Sequence, residues 1–331
     1  MLGLGIESTC DETSLAIVRD GKEILALKVF SQTEFHAKYK GVVPELASRL
    51  HLEKINPILD TILKESKIAL TDLSYVSVAT HPGLIGSVMI GATLARTIGL
   101  CHSIPIVSVN HLEAHLHAVE LENKPITYPY LGLLLSGGNT CIFHSKEVGE
   151  LTKIADTMDD ALGECLDKAA NILGLGYPGG AEIERMANSF TNGLDSLFPK
   201  LLKEPREEIL FSYSGLKTSV LYFTKKNPDY ASRIPEICYH LQNAAFELVE
   251  RNLLKAIEQT GIKTVIAGGG VLANDTLKSK LRNLSQKNHF QITYPEKKIL
   301  CTDNGAMIAS LGYALFQKGK TVTLDFSISP N

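Results

Sequence analysis

The same short pattern occurs twice in this chain of 331 residues, and it limits the available folds more than any other feature. Residues 2–7 and 14–19 read as two strands around the polar turn Ser8-Thr9-Cys10-Asp11-Glu12-Thr13, with a third strand near 23–30. From Tyr130 the pattern starts again with Leu131 to Leu135, the turn Ser136-Gly137-Gly138-Asn139, and strands at 140–144 and near 150–155. After the first meander, Pro44 opens a helix that ends before Lys67, with Leu46, Leu50, Ile55, Ile58 and Leu59 near helical spacing. A strand at 74–80, a helix over 83–101 and a strand at 105–109 are expected next. The second meander leads into predicted helices at 159–173, 180–190, 213–224 and 236–260. A strand at 263–267, a helix from 274, a strand at 289–293 and a closing helix at 304–318 complete the pattern. Such an order predicts an α/β fold in which one unit is used twice, with helical insertions in the second copy. The expected lobes are 1–110 with 304–331, and 111–303, with a central ligand cleft.

A hydrophobic content of 44% over this length supports two sizeable cores. The net charge of -3 excludes a protein that coats nucleic acid by charge alone. RNA would be met locally, through positions such as Lys200, Lys203, Lys225, Lys226, Lys278, Lys280 and Arg282. Six cysteines without CxxC spacing suggest neither a thiolate zinc site nor a disulfide framework. The start of the chain lacks the features of a signal peptide, and the apolar stretch Gly83 to Cys101 is interrupted by Ser87, Thr93, Arg96 and Thr97. A cytoplasmic protein with no membrane span is expected.

The string Asn110-His111-Leu112-Glu113-Ala114-His115 places two histidines four apart, where both rings on one helix face can grip one metal. The protease pattern HExxH sets a glutamate directly after the first histidine as general base; here Leu112 holds that place, so the protease mechanism is missing. His117 lies off that face. Asp303 in Cys301-Thr302-Asp303-Asn304-Gly305 is the best third donor, expected to end an extended segment before an apolar helix, although an aspartate there can equally be an N-cap. Two imidazoles and a carboxylate suit iron or zinc alike.

Three turns suit an anionic, nucleotide-like ligand: Asp11-Glu12-Thr13, Ser136-Gly137-Gly138-Asn139-Thr140, and Gly268-Gly269-Gly270. Glycine lets backbone amides approach phosphate, and a helix start beyond adds a favourable dipole. A Gly-Gly hairpin alone is an ordinary tight turn, and neither GxGxxG nor the P-loop pattern is present. Asp159, Asp160, Glu164 and Asp167 recur at helical spacing near Lys168, as ribose or proton-handling groups or simply as a solvated face. Lys217, within Phe211 to Thr218, could meet phosphate or sit exposed at a helix start.

Ordered strings along nearly the whole chain resemble the TsaD family of threonylcarbamoyl-adenosine synthases. They are Gly5-Ile6-Glu7-Ser8-Thr9-Cys10-Asp11-Glu12-Thr13-Ser14, Gly41 to Arg49, Pro82-Gly83-Leu84, Asn110 to His115, Ser136-Gly137-Gly138, Gly174 to Gly180, Phe211 to Thr218, Gly268 to Val271 and Cys301 to Asn304. The resemblance implies a duplicated actin-like fold of the sugar kinase and heat-shock ATPase superfamily. It implies transfer of the threonylcarbamoyl group of threonylcarbamoyl-AMP to the N6 amine of adenosine 37 in tRNAs reading codons that begin with A, with AMP released. By position it implies His111, His115 and Asp303 as ligands of one divalent metal, iron or zinc. Leu135, Ser136, Gly137, Gly138, Asn139, Asp167, Gly180 and Asn274 match adenylate-binding positions, with Glu184 as a further contact. Asp11 or Glu12 is the candidate to assist the amine proton. TsaB as heterodimer partner, TsaE as ATPase helper and a homodimer in isolation are the implied assemblies. Asn139 stands where many members have His, His81 precedes Pro82 where Gly is usual, and Glu184 stands where Asp is often found. The rival from another class is an ATP-dependent kinase or ATPase of the same fold, which needs magnesium on phosphate and no paired histidines.

Overall fold

The computed structural model describes residues 1–39, 41–190, 196–202 and 207–331; Lys203, named above as a possible RNA contact, lies outside them. The chain divides into two compact units, the first comprising Met1–Ile126, Glu147–Glu150 and Tyr294–Asn331, the second Thr127–Lys146 and Leu151–Thr293.

In the first unit, strands β1 (Leu2–Glu7), β2 (Glu12–Arg19), β3 (Glu23–Ser31), β4 (Tyr75–His81) and β5 (Ile106–Asn110) form one sheet in the order β3-β2-β1-β4-β5. β1 and β2 are antiparallel and β4 runs parallel to β1. Helix α1 is Thr33–Ala37, α2 is Pro44–Ser66 and α3 is Ile85–His102. α2 begins at proline, whose missing N–H is no loss in the first turn, and ends at Lys67 in the left-handed conformation with φ 56°. Alternation along β2 decides which helix covers which face. Leu15 and Ile17 join Ile55, Leu59 and Ile62 of α2 and Ala92, Ala95 and Ile98 of α3 in one core, while Ala16 and Val18 face the other way onto Leu300, Ala306 and Ala309. By length and composition α3 could cross a bilayer. Its packed face and Arg96, which donates to the carbonyls of Leu324 and Phe326, give it the setting of a core helix.

α4 (His111–His117) follows β5 directly. The second unit then contributes β6 (Tyr130–Leu135), β7 (Thr140–Glu147), β8 (Glu150–Thr157), α5 (Leu162–Ile172), α6 (Gly179–Ala187), β9 (Leu210–Phe211), α7 (Ser214–Lys226), α8 (Ile234–Thr260), β10 (Thr264–Gly268), α9 (Asp275–Asn288) and β11 (Gln291–Thr293). Its sheet order is β11-β10-β6-β7-β8-β9. The antiparallel β6 and β7 pair repeats the β1 and β2 pair, and the parallel β10 takes the place of β4. α10 (Lys298–Cys301) and α11 (Gly305–Gln317) return the chain to the first unit.

The chain passes from one unit to the other at 126/127, 146/147, 150/151 and 293/294, where the repeat suggested 110/111 and 303/304. The reason is physical: α4 and the residues before α11 pack on the first sheet, so both go with that core. A second difference concerns Asp303. The residues before it form the helical turn α10 rather than an extended segment.

Candidate active site

Two local arrangements in the first unit bring its chemistry together. β5 ends at Asn110, whose side-chain oxygen accepts the backbone N–H groups of Leu112 and Glu113 at 2.8 and 3.1 Å. This N-cap starts α4 at His111, so both histidines project from its first turns. α11 lies directly on β1: a Cβ on Gly5 would stand 1.9 Å from the Gly305 carbonyl oxygen, and one on Gly305 would stand 2.7 Å from that of Gly5. Only glycine at both positions permits this approach, which places Asp303 beside α4. Asn304, not Asp303, is the N-cap of α11, accepting the Met307 N–H at 2.9 Å. The alternative role of Asp303 is therefore filled by its neighbour.

One donor atom from each of His111, His115 and Asp303 lies within 4.8 Å of the others. Asp303 Oδ1 is 3.0 Å from His115 Nε2 and 3.7 Å from His111 Nε2. His115 is 1% exposed, and neither ring nitrogen has a hydrogen-bond partner. Its contact with Asp303 is close but off the line of a hydrogen bond. An orphaned buried polar group costs about 1–3 kcal/mol, and a cation bound by Nε2 removes part of that cost. The residues fit a divalent metal on this observation and on their donor chemistry.

His111 is oriented from behind. Its Nδ1 lies 2.8 Å from Glu7 Oε2, so Nδ1–H is spent on the carboxylate and Nε2 faces Asp303. Glu7 is fully buried, and its other oxygen accepts the Thr9 N–H at 2.7 Å and the Thr9 hydroxyl at 2.5 Å. Glu7 and Thr9 were not singled out from the sequence. The available signal was a carboxylate at the end of an apolar strand, since a buried charge needs a partner. Glu7→Gln is expected to lower zinc affinity about 10- to 100-fold with the fold intact, measured by competition with a chelating dye; unchanged affinity would remove Glu7 from this role.

Burial alone would lower the His111 pKa, but the carboxylates of Glu7 and Asp303 outweigh it and raise it to about 9. Burial would raise the Asp303 pKa, and the two imidazoles reverse this, holding it well below the usual carboxylate range. A raised imidazole contributes stability that is complete below its unfolded value and lost as the pH rises through about 9. A cation must displace the same proton. Zinc affinity is therefore expected to rise with pH up to about 9 and then level off, with a proton released per ion below that point. Calorimetry in buffers of different ionisation heat reads that release, and a pH-independent affinity contradicts it. His117 is also buried, and burial lowers it to about 4; it does not join the three converging donors.

Asp11 lies in the turn before β2 and Glu12 is the first residue of that strand. Burial, then the charges of Asp303 and Asp11, push the Glu12 carboxyl well above the carboxylate range. His81 closes β4, with Nδ1 2.8 Å from the Thr80 hydroxyl, and burial lowers its pKa.

In the second unit the strand ends gather another set. The turn Ser136 to Asn139 is closed by Ser136 N–H to the Asn139 carbonyl at 2.8 Å and by Asn139 N–H to Ser136 Oγ at 3.0 Å. Carbonyls of Ser136 and Gly137 accept the N–H groups of Gly163 and Glu164 at the start of α5. Gly269, at φ 100°, approaches so closely that a Cβ would meet the Leu135 carbonyl oxygen at 2.4 Å. Leu135 and the two glycine turns are thus neighbours, while a Cβ on Gly137 or Gly138 would meet nothing within 4 Å.

Other expected adenylate residues hold helix starts. Asp167 Oδ1 accepts the Gly179 and Gly180 N–H groups at 2.7 and 3.3 Å. Glu184 Oε1 accepts those of Asp275 and Thr276 at 2.7 and 3.2 Å. Asn274 caps α9 through Leu277 N–H at 2.9 Å and donates to Gln242 Oε1 at 2.9 Å. Asp159 and Asp160 precede α5 instead of continuing its helical spacing. Asp159 accepts from the Ser212 and Ser214 hydroxyls, and Asp160 pairs with Lys168 at 2.5 Å and Lys217 at 2.7 Å. Lys217 is thereby committed to a carboxylate.

A sequence profile described as "TsaD: tRNA N6-adenosine threonylcarbamoyltransferase" matches residues 23–310. A Leptospira interrogans protein named tRNA N6-adenosine threonylcarbamoyltransferase is 51% identical, the match covering 100% of this chain and 98% of that protein. One of the same name from Francisella philomiragia is 43% identical over 94% of this chain and 93% of that one. Among solved structures, HypF of T. kodakarensis aligns with TM-score 0.64 at 14% identity, covering 96% of this chain and 48% of that one. Component A of the Acidaminococcus fermentans (R)-2-hydroxyglutaryl-CoA dehydratase aligns with TM-score 0.57 at 16% identity, covering 95% and 98%. These two likenesses speak for the fold alone, the duplicated actin-like α/β architecture. With a match this long and this close to named relatives, the chain belongs to the TsaD family of tRNA N6-adenosine threonylcarbamoyltransferases.

Proposed function

We infer that this chain transfers the threonylcarbamoyl group of threonylcarbamoyl-AMP to the N6 amine of adenosine 37 in tRNAs reading codons that begin with A. The observation that carries the reading is the convergence of His111, His115 and Asp303, with a buried unpartnered imidazole, in a chain 51% identical to a named transferase. A kinase or ATPase of the same fold has no use for paired histidines.

In the reaction the amine nitrogen attacks the carbamoyl carbon, the bond from that carbon to the phosphate oxygen breaks, and AMP leaves with the electron pair. The mixed anhydride is already activated, so positioning and charge stabilisation are the main tasks. A metal held by His111, His115 and Asp303, iron or zinc, supplies Lewis-acid stabilisation of developing negative charge. Asp11 or Glu12 takes the amine proton. Backbone around Gly137 and Gly138, next to Leu135 and Gly269, receives the adenylate, with Ser136, Asn139, Asp167, Gly180, Glu184 and Asn274 bordering it. Asn139 can donate a hydrogen bond but cannot titrate, so it orients and does not carry protons.

The working assembly includes tRNA as acceptor, TsaB as heterodimer partner and TsaE as helper, in the cytoplasm; family resemblance supports these. The test supplies the chain and those partners with threonylcarbamoyl-AMP and unmodified tRNA. Mass spectrometry of the digested nucleosides should show threonylcarbamoyl-adenosine, and an unchanged profile with zinc- and iron-loaded protein alike rejects the reading.

A further inference from the structure

The turn that carries Asp11 and Glu12 is fastened to the helix beneath it by polar groups that neither the metal site nor the adenylate turns use. His51 of α2 is fully buried, and both ring nitrogens are engaged. Nε2 lies 2.9 Å from the Cys10 carbonyl oxygen and Nδ1 lies 2.7 Å from the Thr13 hydroxyl. A carbonyl oxygen can only accept, so Nε2 carries the proton. In the neutral ring Nδ1 then accepts from the Thr13 hydroxyl, and burial pushes the imidazole below its usual pKa. The two bonds grip the turn at both ends, on residues 10 and 13, and the two carboxylates lie between them.

A second tie holds the middle. Gln32 N–H donates to the Asp11 carbonyl at 2.9 Å. The Gln32 side chain is fixed in turn by His36, whose Nε2 lies 3.0 Å from Gln32 Oε1 while its Nδ1 faces the Val43 N–H at 3.3 Å. The Val43 N–H can only donate, so His36 also carries its proton on Nε2. Thr13, Gln32, His36 and His51 are all fully buried, so water does not compete for these bonds. On the far side of the turn, Ser14 Oγ accepts the Gly305 N–H at 2.9 Å, two residues beyond Asp303. The turn is thus registered against the α11 start on one side and against α2 on the other.

We propose that His51, as the neutral Nε2–H tautomer, is a positioning residue: it clamps the Cys10 to Thr13 turn so that Asp11 and Glu12 are held at the α11 start beside Asp303. It rests on the reading of those carboxylates as groups that face the transferring acyl group. A loosened turn displaces them without touching the metal donors.

The experiment compares His51→Ala, His51→Asn, His51→Gln and Thr13→Val in the full chain. A glutamine amide can reach the position of Nε2 and donate to the Cys10 carbonyl; an asparagine amide reaches only the position of Nδ1. With partners, tRNA and threonylcarbamoyl-AMP, the Ala and Asn variants should lose about 100-fold in kcat, with KM for tRNA and zinc affinity within about twofold of the parent. The Gln variant should recover to within about fivefold of the parent kcat. Two readouts need no substrate. Long-range nitrogen-15 spectra should show the His51 ring neutral with the proton on Nε2 from about pH 6 to about pH 8. Hydrogen exchange at the amides of Asp11 and Glu12 should quicken at least about tenfold in the Ala and Asn variants, while α4 keeps its protection. A ring protonated on Nδ1, or exchange at residues 11 and 12 equal in all variants, overturns the clamp. So does a parallel fall in kcat, zinc affinity and melting temperature for Ala, Asn and Gln alike, which marks a merely structural role. If the parent transfers nothing, the proposed reaction fails, and the spectra and the exchange still decide the clamp.

Discussion

Asp303→Ala and His115→Ala are each expected to lower threonylcarbamoyl transfer at least about 1,000-fold, because a Lewis acid at the reacting group is worth several kcal/mol and each tenfold in rate about 1.4 kcal/mol. Zinc or iron content of the purified variants should fall in parallel. The two losses arise differently. Removing Asp303 takes away the only carboxylate among the three donors and leaves two buried imidazoles facing each other, their ring centroids 4.7 Å apart. Removing His115 opens a cavity and takes one of the two imidazoles away from the buried Asp303 carboxylate, so its variant should melt below the parent even when both are metal-free. Full metal content with full transfer in either variant would show that these side chains converge for some other reason.

The second large effect concerns stability. Gly5→Val should lower the unfolding temperature by several degrees or prevent soluble folding. Its Cβ would meet the Gly305 carbonyl oxygen at 1.9 Å and the Ala309 nitrogen at 2.6 Å, both backbone atoms that no rotamer change can move. Overpacking of this kind costs about 3 kcal/mol or more when backbone must shift. The same displacement carries the start of α11 away from β1, so zinc affinity should fall although no donor is altered. Gly215→Ala is the matched control: nothing lies within 4 Å of its added Cβ, and it sits in the first turn of α7. Thermal melts of the two variants separate the effects, and equal melting temperatures would contradict the close approach of β1 and α11.

Long elements were legible in the sequence because apolar period and end signals agreed. Pro44 and the spacing of Leu50, Ile55 and Leu59 locate α2, and the second meander follows the first because the same alternation recurs on either side of a polar turn. Thr33–Ala37, Leu210–Phe211 and Lys298–Cys301 were missed, since four or five residues, or two, hold too little of a period to register. The candidate site was legible in its donors and not in their supports. HxxxH states its own geometry on a helix, whereas Glu7, Thr9 and His51 reach their partners across 104, 102 and 38 positions of chain. Asp167, Glu184 and Lys217 show the converse. Asp167 and Glu184, expected beside the adenylate, also hold helix starts of their own unit, and Lys217, open to phosphate or to an exposed helix start, pairs with Asp160.

By itself the sequence determined the doubled α/β pattern, the paired histidines and the family, because these depend on spacing and composition that short stretches of chain carry intact. Only the tertiary structure decided that Asp303 joins those histidines and that Asn304 frees it to do so. It alone decided, too, that α4 and the start of α11 share one core. Those outcomes depend on backbone approach at Gly5 and Gly305, a steric condition between residues 300 positions apart, which no local pattern can express.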